Sequence, residues 1–211
     1  MPSYDLCVVT DRAMARGLAH AAIAEQALRG GARMIQLRDK TLGGRDLLAA
    51  ARAIQALCGS FGATCIVNDR VDVALAAGAD GAHVGQTDLP PPEARALLRG
   101  RILGVSAHTV EEAVAAEAAG ADYIGVGAIY ATTSKANARA PLGPEALARF
   151  RAAVRIPIVA IGGITAENVG PVIRAGADGV AVIAAVVGAP DIAEAARRLC
   201  AQIAAARPGP G

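Results

Sequence analysis

Four copies of one short phrase constrain this chain more than any other feature: GGARMIQLR at 30–38, AGADGAHVG at 77–85, AGADYIGVG at 119–127 and AGADGVAVI at 175–183. In each, an alanine-rich stretch runs into a glycine (Gly31, Gly78, Gly120 or Gly176), and a short apolar run follows almost at once. Glycine can take the left-handed backbone that closes a helix, because it has no Cβ to clash. The phrase is therefore a helix-to-strand joint, and a chain that repeats it alternates helices with strands. Filling the intervals predicts strands at 6–9, 34–37, 64–67, 81–84, 102–105, 123–126, 158–161 and 179–183. Helices fall between them, for example 110–118 behind Thr109 as N-cap and 145–153 behind Gly143-Pro144. The strands are unbroken apolar runs rather than alternating ones, as expected of parallel strands covered on both faces. Eight such units in this length predict an α/β chain closed into a single (β/α)8 TIM barrel.

The length of 211 residues leaves no room for a second full domain. A single catalytic domain is expected over 1–206, with RPGPG at 207–211 a frayed tail. Aromatic residues make up only 2% of a chain that is 54% hydrophobic, so the core must be built from alanine and short aliphatics. No apolar run is long enough to span a membrane, and MPSYDLCVVT reads as a first strand rather than a signal peptide, which favours the cytoplasm. A net charge of +2 with scattered arginines leaves no basic stripe for nucleic acid, while small anions remain suitable partners. Cys7, Cys58, Cys65 and Cys200 lack metal-type spacing and read as small hydrophobes.

In a (β/α)8 barrel the site is built where strands end, so the polar residues there are the candidates. They are Thr10-Asp11-Arg12, Gln36, Arg38, Lys40, Asn68-Asp69-Arg70, Gln86, Asp88, Ser106, His108, Thr132, Ser134, Lys135 and Gly162-Gly163. The chain has only two lysines, Lys40 and Lys135, and both fall in these loops. With Arg38 they could hold a diphosphate, the alternative being solvated surface charge. Asp69 and Asp88 follow neighbouring strands, and two hard carboxylates suit Mg2+, which leaves its other positions to water and phosphate oxygens. The competing roles are a helix N-cap for Asp69 and a turn residue for Asp88. IGGIT at 161–165, read as opening a helix, and IAAVVGA at 183–189 fall where such barrels bind phosphate on backbone N–H groups. His20, His83 and His108 lack a second histidine at metal spacing and read as structural. No nucleophile elbow and no Walker loop is present.

Taken together, VTDR at 9–12, MIQLRDK at 34–40, VNDRVDVALAAGADGAHVGQTDLP at 67–90, GVSAHTVEEA at 104–113, GADYIGVGAIYATTSK at 120–135, IPIVAIGGITAENV at 156–169 and AGADGVAVIAAV at 175–186 resemble the thiamine phosphate synthases nearly end to end. The resemblance implies a Mg2+-dependent transferase that couples hydroxymethylpyrimidine diphosphate to a thiazole phosphate, releasing pyrophosphate. It implies that Gln36 contacts the pyrimidine, that Ser106 faces it, and that Arg38, Lys40, Asn68 and Lys135 bind the diphosphate. Asp69 and Asp88 would then be the Mg2+ ligands, with Lys135 and Ser106 closest to the chemistry. Thr132, Ser134, Gly163 and the Ala184-Ala185 turn would hold the thiazole phosphate. The loop from 131 to 141 is long for its kind and is expected to close over substrate, keeping water from a pyrimidine carbocation.

Departures from the family pattern are few. Asp39 stands where Glu is usual, Ala128 and Ala131 stand where prolines often flank the loop, and Ala184 stands where a serine often meets the thiazole phosphate. ATTSK at 131–135 also resembles the related thiazole tautomerases, but their histidine is Ala128 here and GQTDLP is synthase-like. A non-catalytic phosphate binder would be expected to have lost a metal ligand or a cation, and both sets are present in the sequence.

Overall fold

The computed structural model describes residues 3–132 and 140–207. Eight parallel strands close into a barrel in sequence order: β1 (Leu6–Val9), β2 (Met34–Leu37), β3 (Thr64–Asn68), β4 (Gly81–Val84), β5 (Ile102–Ala107), β6 (Tyr123–Val126), β7 (Ile158–Ile161) and β8 (Gly179–Val182). Closure is direct, with Leu6, Cys7 and Val8 of β1 paired to Val180, Ala181 and Val182 of β8. The helices around it are α1 (His20–Arg29), α2 (Gly44–Phe61), α3 (Val71–Ala77), α4 (Pro91–Leu98), α5 (Val110–Ala118), α6 (Leu147–Ala153), α7 (Val169–Arg174), α8 (Ala184–Val187) and α9 (Ile192–Ala206). Among the described residues no helix is long and apolar enough to cross a membrane.

The joints behave as the repeats require: Gly31, Gly78, Gly120 and Gly176 all have positive φ, between 70° and 108°. Thr109 caps α5 by accepting from the Glu112 N–H. The aspartate of the phrase has a task of its own. Asp80 accepts the Cys65 N–H at 2.8 Å, Asp122 the Leu103 N–H at 2.7 Å and Asp178 the Ile158 N–H at 2.7 Å. Three of the four copies thus satisfy a donor at the start of the preceding strand, on the face of the barrel away from the strand ends, whereas the first has Arg33 in place of the aspartate. Asp122 and Asp178 are further braced by Arg95 at 2.9 Å and Arg151 at 3.0 Å. Arg207, in the stretch expected to fray, bonds the Asp5 carboxylate and the Asp178 carbonyl, while residues 208–211 lie outside those described.

Five boundaries differ from the sequence reading. β3 runs on to Asn68 and β5 to Ala107, because Asn68 pairs with His83, and Ser106 and Ala107 pair with Gly125 and Val126. β8 stops at Val182, since Ile183 turns to ψ −81° and starts α8. The helix expected at 145–153 divides into a 3-10 turn at Pro144–Ala146 and α6. IGGIT does not open a helix, for α7 begins only at Val169.

Candidate functional site

The interior of the barrel narrows to a cavity lined by Gln36, Arg38, Asn68, His83, Ser106 and Tyr123, with an apolar wall from β1, β7 and β8. Four of the six were singled out from the sequence. Gln36 is 7% exposed and sits at the end of β2. Asn68 and Ser106 are the last inward positions of β3 and β5, so they hang from sheet rather than from loops.

His83 and Tyr123 were not among the predicted site residues. Both lie within apolar strands and read as core. In the folded chain His83 Nδ1 is 3.0 Å from the Tyr123 hydroxyl and its Nε2 is 2.9 Å from Ser106 Oγ. The imidazole therefore holds the Ser106 hydroxyl from behind. Complete burial, with nearby Cys7 and Tyr4 adding to it, pushes the Tyr123 phenol well above its ordinary range, so it stays a neutral donor and acceptor. Space for this pair comes from Gly104, where a Cβ would overlap the Tyr123 ring and approach His83 Nδ1. Glycine in the neighbouring strand was the available signal: a strand interior gives up packing only where something else fills the room.

The charged rim sits above this cavity. Asp69 has φ +62°, a left-handed turn that Asp tolerates better than most residues, and its N–H donates to the His83 carbonyl at 2.8 Å. The turn tips its carboxylate toward Lys40, whose Nζ is 3.0 Å away, and toward Asp88. It also settles the competing role: the residue at the head of α3 is Arg70, and no side chain caps that helix. Asp88 accepts the Gly85 N–H at 2.7 Å in a tight loop after β4. Burial pushes the Asp88 carboxyl up, and the adjoining Asp69 pushes it further. For Asp69 burial acts in the same direction, but the bonds to Lys40 and Asp88 outweigh it and hold the carboxyl below its usual range. Two carboxyl groups thus share one small region, with Lys40 the nearby cation. No group of three or more His, Cys, Asp or Glu poised for a metal occurs among the described residues. A pair of carboxylates suits Mg2+ when water and substrate oxygens complete its shell.

Arg38 Nη1 lies 4.0 Å from Asp11 Oδ2, so Asp11 of the first loop shares the rim. Behind it His20 is 3% exposed, between Thr10 and Asp39. Burial would push the Asp39 carboxyl up, yet bonds from Thr41, His20 and Leu42 hold it below the usual carboxylate range. His108 is structural in a different sense: its Nδ1 lies 2.6 Å from the Gly127 carbonyl.

On the opposite side the site is backbone. Gly162 and Gly163 have φ +105° and +63°, and their turn is closed by Asn168, whose Nδ2 donates to the Gly163 carbonyl at 2.9 Å and whose Oδ1 accepts the Thr165 N–H at 2.8 Å. The segment after β6 lies directly on this turn. Tyr130 N–H donates to the Gly162 carbonyl at 3.0 Å, and a Cβ on Gly163 would overlap the Ala131 carbonyl and fall 2.8 Å from Tyr130 Cβ. Ala184 and Ala185 are the first two residues of α8, with Ala184 exposed. Thr132 is described, while Ser134 and Lys135 lie outside the described residues, as does most of the 131–141 loop.

Known proteins resemble the chain in both sequence and fold. A model of the thiamine monophosphate synthase family matches residues 6–186. A thiamine-phosphate synthase of Moorella thermoacetica is 55% identical over 208 residues, covering 98% of this chain and 99% of that protein. One from Methanoculleus marisnigri is 56% identical over 205 residues, covering 97% of each. Among solved structures, thiamine phosphate pyrophosphorylase from Pyrococcus furiosus superposes with a TM-score of 0.91 at 38% identity, over 97% of both chains. A 3-hexulose-6-phosphate synthase superposes at 0.73 with 20% identity and shares the fold alone. With the family model spanning most of the barrel and relatives above 50% identity end to end, the chain belongs to the thiamine monophosphate synthase family.

Proposed function

We propose that the protein couples hydroxymethylpyrimidine diphosphate to a thiazole phosphate, giving thiamine phosphate and pyrophosphate, or to its carboxylated form, with CO2 released as well. The observation that carries this reading is the layering of the site: a neutral, hydrogen-bonding cavity of Gln36, Asn68 and Ser106 beneath a rim of Arg38, Lys40, Asp69 and Asp88. A flat heterocycle with donors and acceptors fits the first, and a diphosphate attached to it fits the second.

Gln36 and Ser106 orient the pyrimidine, Ser106 with its hydroxyl held by His83. Arg38, Lys40 and Asn68, joined by Lys135, take the diphosphate oxygens. Asp69 and Asp88 would hold Mg2+, which when bound supplies positive charge against the leaving diphosphate. The C–O bond to the diphosphate breaks with its electron pair leaving on oxygen, and the resulting pyrimidine carbocation is captured by the thiazole nitrogen. Such a step needs charge stabilisation and orientation more than a general base, and the described site offers cations and fixed dipoles rather than a catalytic triad. The thiazole phosphate would sit on the backbone around Gly163 and the Ala184-Ala185 turn, with Thr132 and Ser134 above.

The test is a coupled assay with both substrates. Equal amounts of pyrophosphate and thiamine phosphate should appear, and EDTA should abolish both. Product formation indifferent to EDTA would remove Mg2+ from the reading. Tight binding of the diphosphate without turnover would identify a phosphate-binding protein instead.

A further inference from the structure

We infer that His20 is a positioning residue for the two cations on the β2 loop, acting through a closed ring of hydrogen bonds that begins at the Arg38 peptide and ends on the Asp39 carboxylate. The inference rests on the reading above, in which Arg38 and Lys40 hold the diphosphate.

The ring can be traced donor by donor. The Arg38 N–H donates to Thr10 Oγ1 at 3.3 Å, Thr10 Oγ1 lies 2.8 Å from His20 Nδ1, and His20 Nε2 lies 3.0 Å from Asp39 Oδ2. An ionised carboxylate only accepts, so Nε2 carries the hydrogen. With Nε2 so assigned, the neutral form of the ring accepts at Nδ1 from the Thr10 hydroxyl, whose oxygen still receives the Arg38 N–H. Thr10 is completely buried, and its own N–H donates to the Gln36 carbonyl at 2.9 Å, which ties the end of β1 to the same stretch of β2. The free oxygen of Asp39 turns the chain beyond Lys40 by accepting from Thr41 N and Oγ1, both at 2.7 Å, and from Leu42 N at 2.9 Å.

Nothing in α1 itself calls for this imidazole. Its N-cap is Ala19, with no side-chain cap bond, and a buried residue that only filled space would cost less if apolar. What the imidazole does is hold both sides of a short loop to the scaffold, with Arg38 and Lys40 on either side of the Asp39 anchor. Long cationic side chains on a loop free to shift would bind the same diphosphate with a larger ordering cost.

The experiment varies the two substrates separately in Thr10→Val, Thr10→Ser, His20→Gln and Arg38→Ala, with thermal stability measured alongside. Thr10→Val keeps the shape and removes the hydroxyl; Thr10→Ser restores the hydroxyl. Thr10→Val and His20→Gln should raise KM for the pyrimidine diphosphate about tenfold, roughly the effect of one lost hydrogen bond, and leave KM for the thiazole phosphate within about twofold. Thr10→Ser should return the diphosphate KM to near the parent value. The double variant should be little worse than either single one, because both break one ring. Equal rises in both KM values, an unchanged diphosphate KM in Thr10→Val, or failure of serine to rescue would overturn the inference. If Arg38→Ala raises the diphosphate KM but Thr10→Val does not, the inference alone fails. If Arg38→Ala leaves it unchanged, the cation site itself is misread and the inference goes with it.

Discussion

The two faces of this barrel are made from the same eight units in opposite ways. On the face where strands begin, the chain repeats itself: Asp80, Asp122 and Asp178 do one job at three places, each taking a backbone N–H of the preceding strand. On the face where strands end, the polar residues are varied: Gln36, Asn68 and Ser106 line the cavity, while Asp69 and Asp88 adjoin one another, Asp69 beside Lys40 and Asp88 on the Gly85 N–H. Repetition marks the residues that build the fold, and departure from it marks those proposed to meet the substrate. The difference follows from what each face must satisfy, since every strand start presents similar donors while a bound molecule presents different groups in each direction.

Substitutions on the two faces should therefore dissociate stability from turnover. The largest effect is expected for Asp88→Ala, which should lower kcat by about 10²–10³, the usual consequence of losing one charge-stabilising group, with little change in Tm. Full activity of that variant in EDTA would break the comparison. Arg38→Ala should next raise KM for the pyrimidine diphosphate by about 10–100-fold, the range for a lost bond to a charged group, while KM for the thiazole phosphate holds. Steady-state titration of each substrate reads this directly. Lys135→Ala should instead lower the coupling rate more than thiazole-phosphate binding; equal losses in single-turnover and binding measurements would make it a ground-state anchor.

On the other face, Asp178→Ala should leave kcat unchanged and cost about 1–3 kcal/mol, because it strands the Ile158 N–H and releases Arg151. Thermal unfolding should register this as a Tm lower by a few degrees per kcal/mol. A fall in kcat at unchanged Tm would show that the repeated aspartate is not confined to building the fold. The smallest effect is expected from Ala184→Ser, which adds a hydroxyl at the start of α8 and should lower KM for the thiazole phosphate a few-fold without touching the diphosphate.

Gly163 shows why the backbone half of the site is harder to probe. A bulky side chain there would appear to block a phosphate, but a Cβ would already collide with Ala131 and Tyr130, and φ is +63°. Gly163→Val would thus disturb the segment after β6 along with any ligand, and Tm has to be read before its KM values carry meaning.

Much of the architecture was determined by the sequence alone, for a physical reason: helices followed at once by unbroken apolar runs, four of the joints closed by glycine in a repeated phrase, have few ways to bury themselves, and eight such runs in succession close a barrel. The positions of Gln36, Arg38, Asn68, Asp69, Asp88 and Ser106 were legible for the same reason, because a polar residue at the end of a parallel strand faces the mouth whatever its partners. Tertiary structure decided the rest. His83 and Tyr123 look like core until the curvature of the sheet brings them 3.0 Å apart behind Ser106, and Gly104 shows its purpose only once that pair needs room. His20 and Asp39 are 19 residues apart, and no local pattern joins them. Periodicity along a chain reports which side of an element is buried, whereas the pairing of one buried polar group with another is settled only when separate elements meet.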